Sequence, residues 1–442
     1  MNLAEKFSFG VRCAPRMLVG LLAGMAATAA MAAEQATVLR CGAVLDVVAG
    51  KVSGPASIVV RGERIESIGG RALGGQAPGA ARLVDLSDMT CLPGLADLHA
   101  HITINPDTLS GSDLDRSSAA RALDGLHNAQ VMMRAGFTTL RDPGAFDMYY
   151  GTVALRNAIN SGKLVGPRLF VAPHALSATG GHGDFNAFSP DLHIDVPGRV
   201  VNGVDEIRRT IREEVKYGAD WIKVMATGGV MSAGDDPNGS AYTDEELRAA
   251  VDETHRLGRK ITVHAIGLAG IKASVKAGVD SVEHGMMLDD ETIALMKQHG
   301  TVLIPTLYVL NYVVDNGPAM GFPAGSVAKG RALRAERDRH IRHAFQSGVK
   351  VAFGSDTIFP HGDAVKEFAL LVQLGLSPAD AVRAATINAA QLLGVADQVG
   401  TLEPGKYADI IAVSANPLQD IRTLEQVRFV MKGGAVFKAL TP

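Results

Sequence analysis

Residues 204–225 read VDEIRRTIREEVKYGADWIKVM. Val204, Ile207, Ile211 and Val215 recur at helical spacing, Gly218 closes the helix, and Trp221–Met225 is a short apolar strand. From residue 93 onward this helix–Gly–strand unit repeats. Gly136, Gly162, Gly218, Gly258, Gly278, Gly300 and Gly348 each follow a helical pattern, as a left-handed helix-ending residue does. The strands after them are Thr138–Arg141, Arg168–Ala172, Trp221–Met225, Ile261–His264, Ser281–His284, Val302–Thr306 and Val351–Ser355. Leu92–His101 opens the series and brings the count to eight. Thr243 with Glu246 spells a capping box, and Ser377-Pro378 starts a helix running toward Leu393. Eight strands alternating with helices predict an α/β chain folded as a parallel (β/α)8 barrel. A doubly wound open sheet is the alternative, but no G-x-G-x-x-G loop follows the first strand.

Both flanks have a different rhythm. Residues 36–92 and 400–442 alternate apolar and polar positions around turns, as in Arg64-Ile65-Glu66-Ser67-Ile68 and Asp409-Ile410-Ile411-Ala412-Val413. Neither flank is long enough for a sound core alone, so the two together predict a small β-sandwich built from both chain ends. Ahead of them, Lys6, Arg12 and Arg16 precede an uncharged run from Met17 to Ala33 that contains Ala30-Met31-Ala32. That order describes a secretory signal peptide, whereas a membrane anchor needs about 20 apolar residues. The expected organisation is a signal peptide over 1–32, sandwich parts over 33–92 and 395–442, and a barrel over 93–394. Export to a periplasm or the exterior follows, with no membrane attachment after cleavage.

Composition narrows the function. With 43 Lys+Arg against 46 Asp+Glu, the net charge of −3 leaves no basic footprint for nucleic acid. Three Cys in 442 residues exclude a disulfide scaffold or a Cys-based zinc finger. Cys13 leaves with the signal peptide; whether Cys41 and Cys91 pair is not readable from their spacing.

The chemistry sits on strand ends. His99 and His101 in Asp97-Leu98-His99-Ala100-His101 share one side of the first strand, a weak signal by itself. Lys223 stands among apolar strand residues, where an unpaired ammonium is costly to bury. Desolvation lowers a lysine pKa, and the neutral amine reacts with CO2 to give a carbamate able to bridge two cations. His264, His284 and Asp356 close or follow later strands. Four His, one Lys and one Asp thus mark the ends of strands 1, 4, 5, 6 and 8, the face where barrel sites assemble.

The stretches P-G-L-A-D-L-H-A-H, I-K-V-M-A-T-G-G-V, V-H-A, V-E-H-G and G-S-D-T, with L-E-P-G-K-Y-A-D-I-I-A-V near the end, resemble the metal-dependent amidohydrolase superfamily over nearly all of 36–442. The resemblance implies two Zn2+ per chain. His99, His101 and Asp356 would hold one, His264 and His284 the other, with carboxylated Lys223 and a hydroxide bridging them. Within the superfamily, T-T-L-R-D from Thr138, G-P-R from Gly166, T-G-G-H-G-D from Thr179 and A-T-G-G-V from Ala226 resemble the prolidase-like and carboxypeptidase-like enzymes. Those cleave Xaa-Pro or related C-terminal amides, and some relatives cleave ochratoxin; many form homo-oligomers.

Such a site carries a net charge of about +1, which lowers the pKa of its water and polarises a carbonyl. Asp356 is then both ligand and proton shuttle. His182, in a glycine-rich loop, is expected to donate to the developing oxyanion. Arg141 and the backbone N–H groups of Gly228 and Gly229 are candidate holders for a substrate carboxylate. The expected substrate is a dipeptide or N-acyl amino acid with a free C-terminal carboxylate. A one-metal ring-opening hydrolase or deaminase of the same superfamily usually lacks the strand-4 lysine, and a non-enzymatic assembly protein typically has lost ligands.

Overall fold

The computed structural model of the chain describes residues 35–70, 81–105, 116–185, 189, 191, 197–232 and 234–439. Residues 1–32, expected to be a signal peptide, lie outside the described residues. In chain order the elements begin with β1 (Thr37–Asp46), β2 (Lys51–Ser53), β3 (Ala56–Arg61), β4 (Arg64–Gly70), β5 (Arg82–Pro93) and β6 (Leu95–Asp97). Next come α1 (Ser118–Arg134), β7 (Phe137–Asp142), α2 (Gly151–Asn160), β8 (Arg168–Val171), β9 (Ala175–Ser177) and β10 (Arg199–Val200). The alternation continues with α3 (Val204–Lys216), β11 (Trp221–Met225), α4 (Asp244–Arg256), β12 (Lys260–Ala265), α5 (Leu268–Ala277) and β13 (Ser281–His284). It ends with α6 (Asp290–His299), β14 (Val302–Ile304), α7 (Leu307–Asn316), α8 (Ala324–Gln346), α9 (Glu367–Gln373), α10 (Pro378–Ala384) and α11 (Ile387–Leu393), then β15 (Ile410–Val413), β16 (Phe429–Lys432) and β17 (Ala435–Lys438).

The parallel strands β6-β7-β8 and β9-β11-β12-β13-β14 form the barrel wall, with β9 extending β8. Closure uses one or two backbone bonds at each junction. Asp220 N–H donates to Val171 O (2.8 Å), Leu303 bridges Val351, and Leu98 N–H donates to Phe353 O (2.9 Å). All seven glycines ahead of strands have φ between 68° and 106°, the left-handed geometry their positions demanded. Thr243 and Glu246 form the capping box. Outward strand residues such as Ile222, Val224, Val263 and Val282 pack on Ile207, Ile211, Leu247 and Val251 of the helices. Each such side chain contributes roughly 1.5–3 kcal/mol on burial. Inward positions are polar: Arg141, Lys223, Thr262, Ser281 and Glu283 are all buried.

Two elements depart from the sequence reading. The helix expected from Ser377 toward Leu393 is split into α10 and α11. The carbonyls of Ala384 and Ala385, which a continuous helix would use, instead accept from Phe353 N–H (3.0 Å) and Ala96 N–H (2.7 Å). The eighth strand shrinks for the same reason, since Phe353 N–H turns to that helix end. Residues 311–339, unreadable in sequence, are largely the helices α7 and α8.

Strands from both chain ends join in one mixed eight-stranded sheet of order β17-β16-β15-β5-β1-β3-β4, with β2 on β1. Leu39, Ile58, Leu86, Ile410, Phe429 and Met431 share its core. A register shift after Cys41 falls where Gly42 packs so closely that a Cβ would meet Ser87 O at 2.2 Å. Cys41 and Cys91 are joined as a disulfide tying β1 to β5. Among the described residues, no helix is long and apolar enough to cross a membrane.

Candidate active site

The ends of β6, β12, β13 and the eighth strand bring His99, His101, His264, His284 and Asp356 to one cavity of about 520 Å3, with Lys223 of β11 beneath them. His99 Nδ1 donates to Glu283 (2.7 Å) and His101 Nδ1 donates to Gly144 O (2.8 Å). Both rings therefore turn their Nε2 lone pairs into the same space, 3.2 Å apart. Asp356 Oδ1 lies 3.5 Å and 3.2 Å from those nitrogens. Two facing lone pairs and a carboxylate repel one another unless a cation sits among them, so this donor set fits a metal ion. One donor atom each from His99, His101 and Asp356 falls within 4.8 Å of the others. On the other side, His264 Nε2 bonds Gly228 O (3.1 Å) and His284 Nδ1 bonds Thr306 Oγ1 (2.6 Å). Each of these rings keeps one nitrogen for the cavity, and their centroids are 4.6 Å apart.

Electrostatics favour the ligand forms of these groups except His101. Burial first, then the neighbouring Lys223 charge, holds His99 well below the usual imidazole range. Burial likewise depresses His264, and lowers His284 to about 4, so these rings are neutral near pH 7. His101 moves upward: burial opposes its charge, but the hydrogen bond and charge of Asp356 outweigh burial. Asp356 is itself held far below the carboxylate range, because the surrounding histidines overcome its burial. Burial lowers Lys223 to about 8, which raises the fraction of neutral amine.

Backbone strain concentrates here. Outside glycine, the described residues with positive φ are His284 (70°), Thr306 (45°) and Asp356 (58°), at the ends of three successive barrel strands. Each costs on the order of 1–3 kcal/mol and persists only where surrounding structure imposes it.

The sequence pattern of the amidohydrolase family matches residues 90–437. The chain belongs to the amidohydrolase family. Ochratoxinase of Aspergillus niger is 36% identical over 372 residues, spanning 78% of this chain and 75% of the fungal protein. A crystal structure of a Xaa-Pro dipeptidase with bound methionine in its active site superposes with a TM-score of 0.86 at 36% identity. A prolidase complexed with N-methylphosphonate-L-proline gives 0.83 at 32%. Each of these two structures covers 92% of this chain and is itself fully covered. The protein is thus a metal-dependent hydrolase of amide or peptide C–N bonds, in the prolidase-like subgroup of the superfamily.

In this amidohydrolase Arg141 is not a substrate anchor. It is fully buried, with Nη2 on Glu283 (2.5 Å), Nε on Leu98 O (2.6 Å) and its guanidinium 4.5 Å from the Trp221 ring centre. Strand alternation turns it into the barrel interior rather than the cavity. Gly228 and Gly229 also fail as anion holders. Gly228 N–H donates to Asp236 O (3.2 Å) and Gly229 N–H to Asp235 Oδ2 (2.9 Å), so neither donor is left for a ligand. No arginine is among the described residues lining the cavity.

His182 does reach the cavity and stacks on His264 at 4.2 Å between ring centres. Ser232 gives its single hydroxyl proton to Asp235 (2.5 Å), so His182 Nδ1 is the donor in its 2.7 Å bond to Ser232 Oγ. The neutral ring then offers an Nε2 lone pair. It donates to an oxyanion only after gaining a proton, and burial lowers it to about 4. Asp97 holds the backbone rather than a ring: its carboxylate accepts from His99 N–H (2.9 Å), Ser355 N–H (3.2 Å) and Ser355 Oγ–H (2.5 Å).

Sequence reasoning missed Glu283 and Glu367. Glu283 ties His99 to Arg141, and its only sequence signal was a carboxylate inside the strand Ser281–His284. Glu367 is fully buried and accepts from Leu307 N–H (2.8 Å) and Tyr308 N–H (2.6 Å), capping α7 from 60 residues away. That helix lays Val309, Leu310 and Val313 along the cavity, facing Val230, Met231 and Met286.

Proposed function

We propose that the enzyme is a binuclear zinc amidohydrolase cleaving dipeptides or N-acyl amino acids with a free C-terminal carboxylate. The observation that carries the two-metal reading is the site's composition: two histidine pairs flank one carboxylate, and a strand-buried lysine lies beneath them. His99, His101 and Asp356 would hold one ion, His264 and His284 the second, and a carboxylated Lys223 both. When bound, the ions supply Lewis-acid activation of water and of the scissile carbonyl.

The remaining roles fall to the chain. Asp356 borders the space between the histidine pairs, with Oδ1 toward His99 and His101 and Oδ2 4.0 Å from His284. From there it takes the proton of the attacking water and passes it to the departing nitrogen. His182, neutral with its proton on Nδ1, accepts a hydrogen bond at Nε2 beside the same centre. The apolar wall from α7 favours a substrate with a bulky apolar group. Arg141 is sealed away and lines no part of the cavity, so the positive charge that would meet the substrate carboxylate would have to be that of the bound ions. The prolidase and ochratoxinase likenesses support an amide whose amine side is an amino acid.

Export rests on the order of charges and apolar residues in 1–32 and is supported by the Cys41–Cys91 disulfide, which suits an oxidising compartment. Intact mass of the native secreted protein tests it: a chain that still carries residues 1–32 overturns the proposal.

The function is tested by metal analysis with a paired substrate assay. About two zinc ions per chain are expected, and an N-acyl amino acid should be hydrolysed at least tenfold faster in kcat/KM than its C-terminal amide. One metal per chain removes the binuclear reading; equal rates for the pair remove carboxylate recognition.

A further inference from the structure

Beside the metal-facing histidines, a second, half-buried set of polar groups gathers around His182, with Ser232 at the cavity wall. Asp235 has only 4% of its side chain exposed and accepts four hydrogen bonds from three donors: Ser232 Oγ–H (2.5 Å) and Gly229 N–H (2.9 Å) on Oδ2, and Lys329 Nζ on Oδ1 (3.0 Å) and on the Asp235 backbone carbonyl (3.3 Å). Lys329 comes from α8 and also donates to Gly229 O (3.1 Å) and Ser232 O (2.9 Å), tying Gly229, Ser232 and Asp235 to that helix. Burial resists ionisation of Asp235, but these donors prevail and keep it a carboxylate. Ser232 in turn accepts from His182 Nδ1 (2.7 Å). Gly229 supplies the room: a Cβ there would lie 2.2 Å from both Cε1 and Nδ1 of the His182 ring.

We propose that Asp235 is a positioning residue for the amide hydrolysis: through Ser232, and braced by Lys329, it sets the rotation and tautomer of His182, while Gly229 leaves the ring its space. The physical logic is that of an oriented imidazole. A carboxylate that takes the serine proton compels the serine oxygen to accept from Nδ1, so Nε2 faces the cavity as a lone pair. His264, on which the ring stacks, completes its placement. Asp235 thereby acts on the reaction only through His182. The inference rests on the proposed hydrolysis insofar as His182 faces the scissile bond.

The test uses Ser232→Ala, Asp235→Asn and Gly229→Ala, each made in the wild type and in His182→Asn. Ser232→Ala leaves the Asp235–Lys329 and Asp235–Gly229 contacts in place, and Gly229→Ala removes no hydrogen bond but displaces the ring. In the wild-type background each should lower kcat by about 10- to 100-fold, with KM changing less and metal content unchanged. In the His182→Asn background the same changes should cost less than about twofold, because the residue they orient is gone. Equal losses in both backgrounds, or losses that follow metal content or Tm, overturn the proposal. A readout free of turnover separates this from failure of the substrate reading: 15N-histidine NMR of the zinc-loaded enzyme. His182 should carry its proton on Nδ1 in the wild type and lose that preference in Ser232→Ala. An unchanged tautomer overturns the inference even if no substrate of the panel is cleaved. A wild type that shows the tautomer shift but cleaves no C–N substrate upholds the positioning and rejects the function reading.

Discussion

Replacing Glu283 by Gln probes what joins the barrel interior to the metal-facing histidines. The carboxylate is fully buried and meets Arg141 Nη2 at 2.5 Å, His99 Nδ1 at 2.7 Å and the hydroxyls of Thr262 and Ser281. Gln keeps the shape and removes the charge, which leaves the Arg141 guanidinium sealed against Leu98 O, the Ser281 hydroxyl and the Trp221 ring. With charge centres roughly 4 Å apart and an effective dielectric of about 20, the lost attraction is about 4 kcal/mol. That agrees with the ~3–5 kcal/mol typical of breaking a buried pair from one side. Urea denaturation should therefore show a loss of about 4 kcal/mol with an unchanged slope. Metal retention should fall about 10- to 100-fold, because His99 loses the carboxylate that orients it. Adding Arg141→Met to Glu283→Gln removes the stranded charge and should recover most of the stability without restoring metal retention. A single-variant loss under about 1 kcal/mol, or a double variant that regains metal and stability together, would refute the account.

Lys223→Ala should lose most bound metal and activity, and a short carboxylic acid with added zinc should restore part of both; full activity with two ions in the unsupplemented variant counts against a lysine bridge. Changing Cys41 and Cys91 to Ser opens a 50-residue loop and should cost roughly 4 kcal/mol by loop entropy, seen as a lower urea midpoint. Glu367→Ala leaves two N–H groups at the start of α7 without acceptors, a loss of about 2–4 kcal/mol. Its kcat/KM should fall more for bulky apolar substrates than for acetylated ones, and an even loss across the series would disconnect α7 from substrate choice.

What the sequence determined was whatever depends on local periodicity. Helix spacing, left-handed glycines and short apolar strands are written residue by residue, so the barrel, its strand order and the strand ends bearing His99, His101, His264, His284 and Asp356 were legible. The tertiary structure decided what depends on which groups meet. Arg141 lies at the end of a strand, as the histidines do; alternation turns it inward, but only the closed barrel brings Glu283 to meet it. Gly228 and Gly229 looked like free amides until Asp235 and Asp236 folded over them. Cys41 and Cys91 became partners because β1 lies beside β5 with a bulge at Gly42. The helix after Ser377 had an unbroken local pattern and split because strand amides claimed its carbonyls. Glu283 and His284 occupy successive strand positions that alternation would send to opposite faces. The left-handed turn at His284 (φ 70°) breaks that alternation, letting the glutamate serve the barrel interior while its neighbour serves the cavity. Period and propensity act within a few residues, whereas hydrogen-bond partners for buried charges are chosen across 40 to 260 residues of chain, after the barrel has closed.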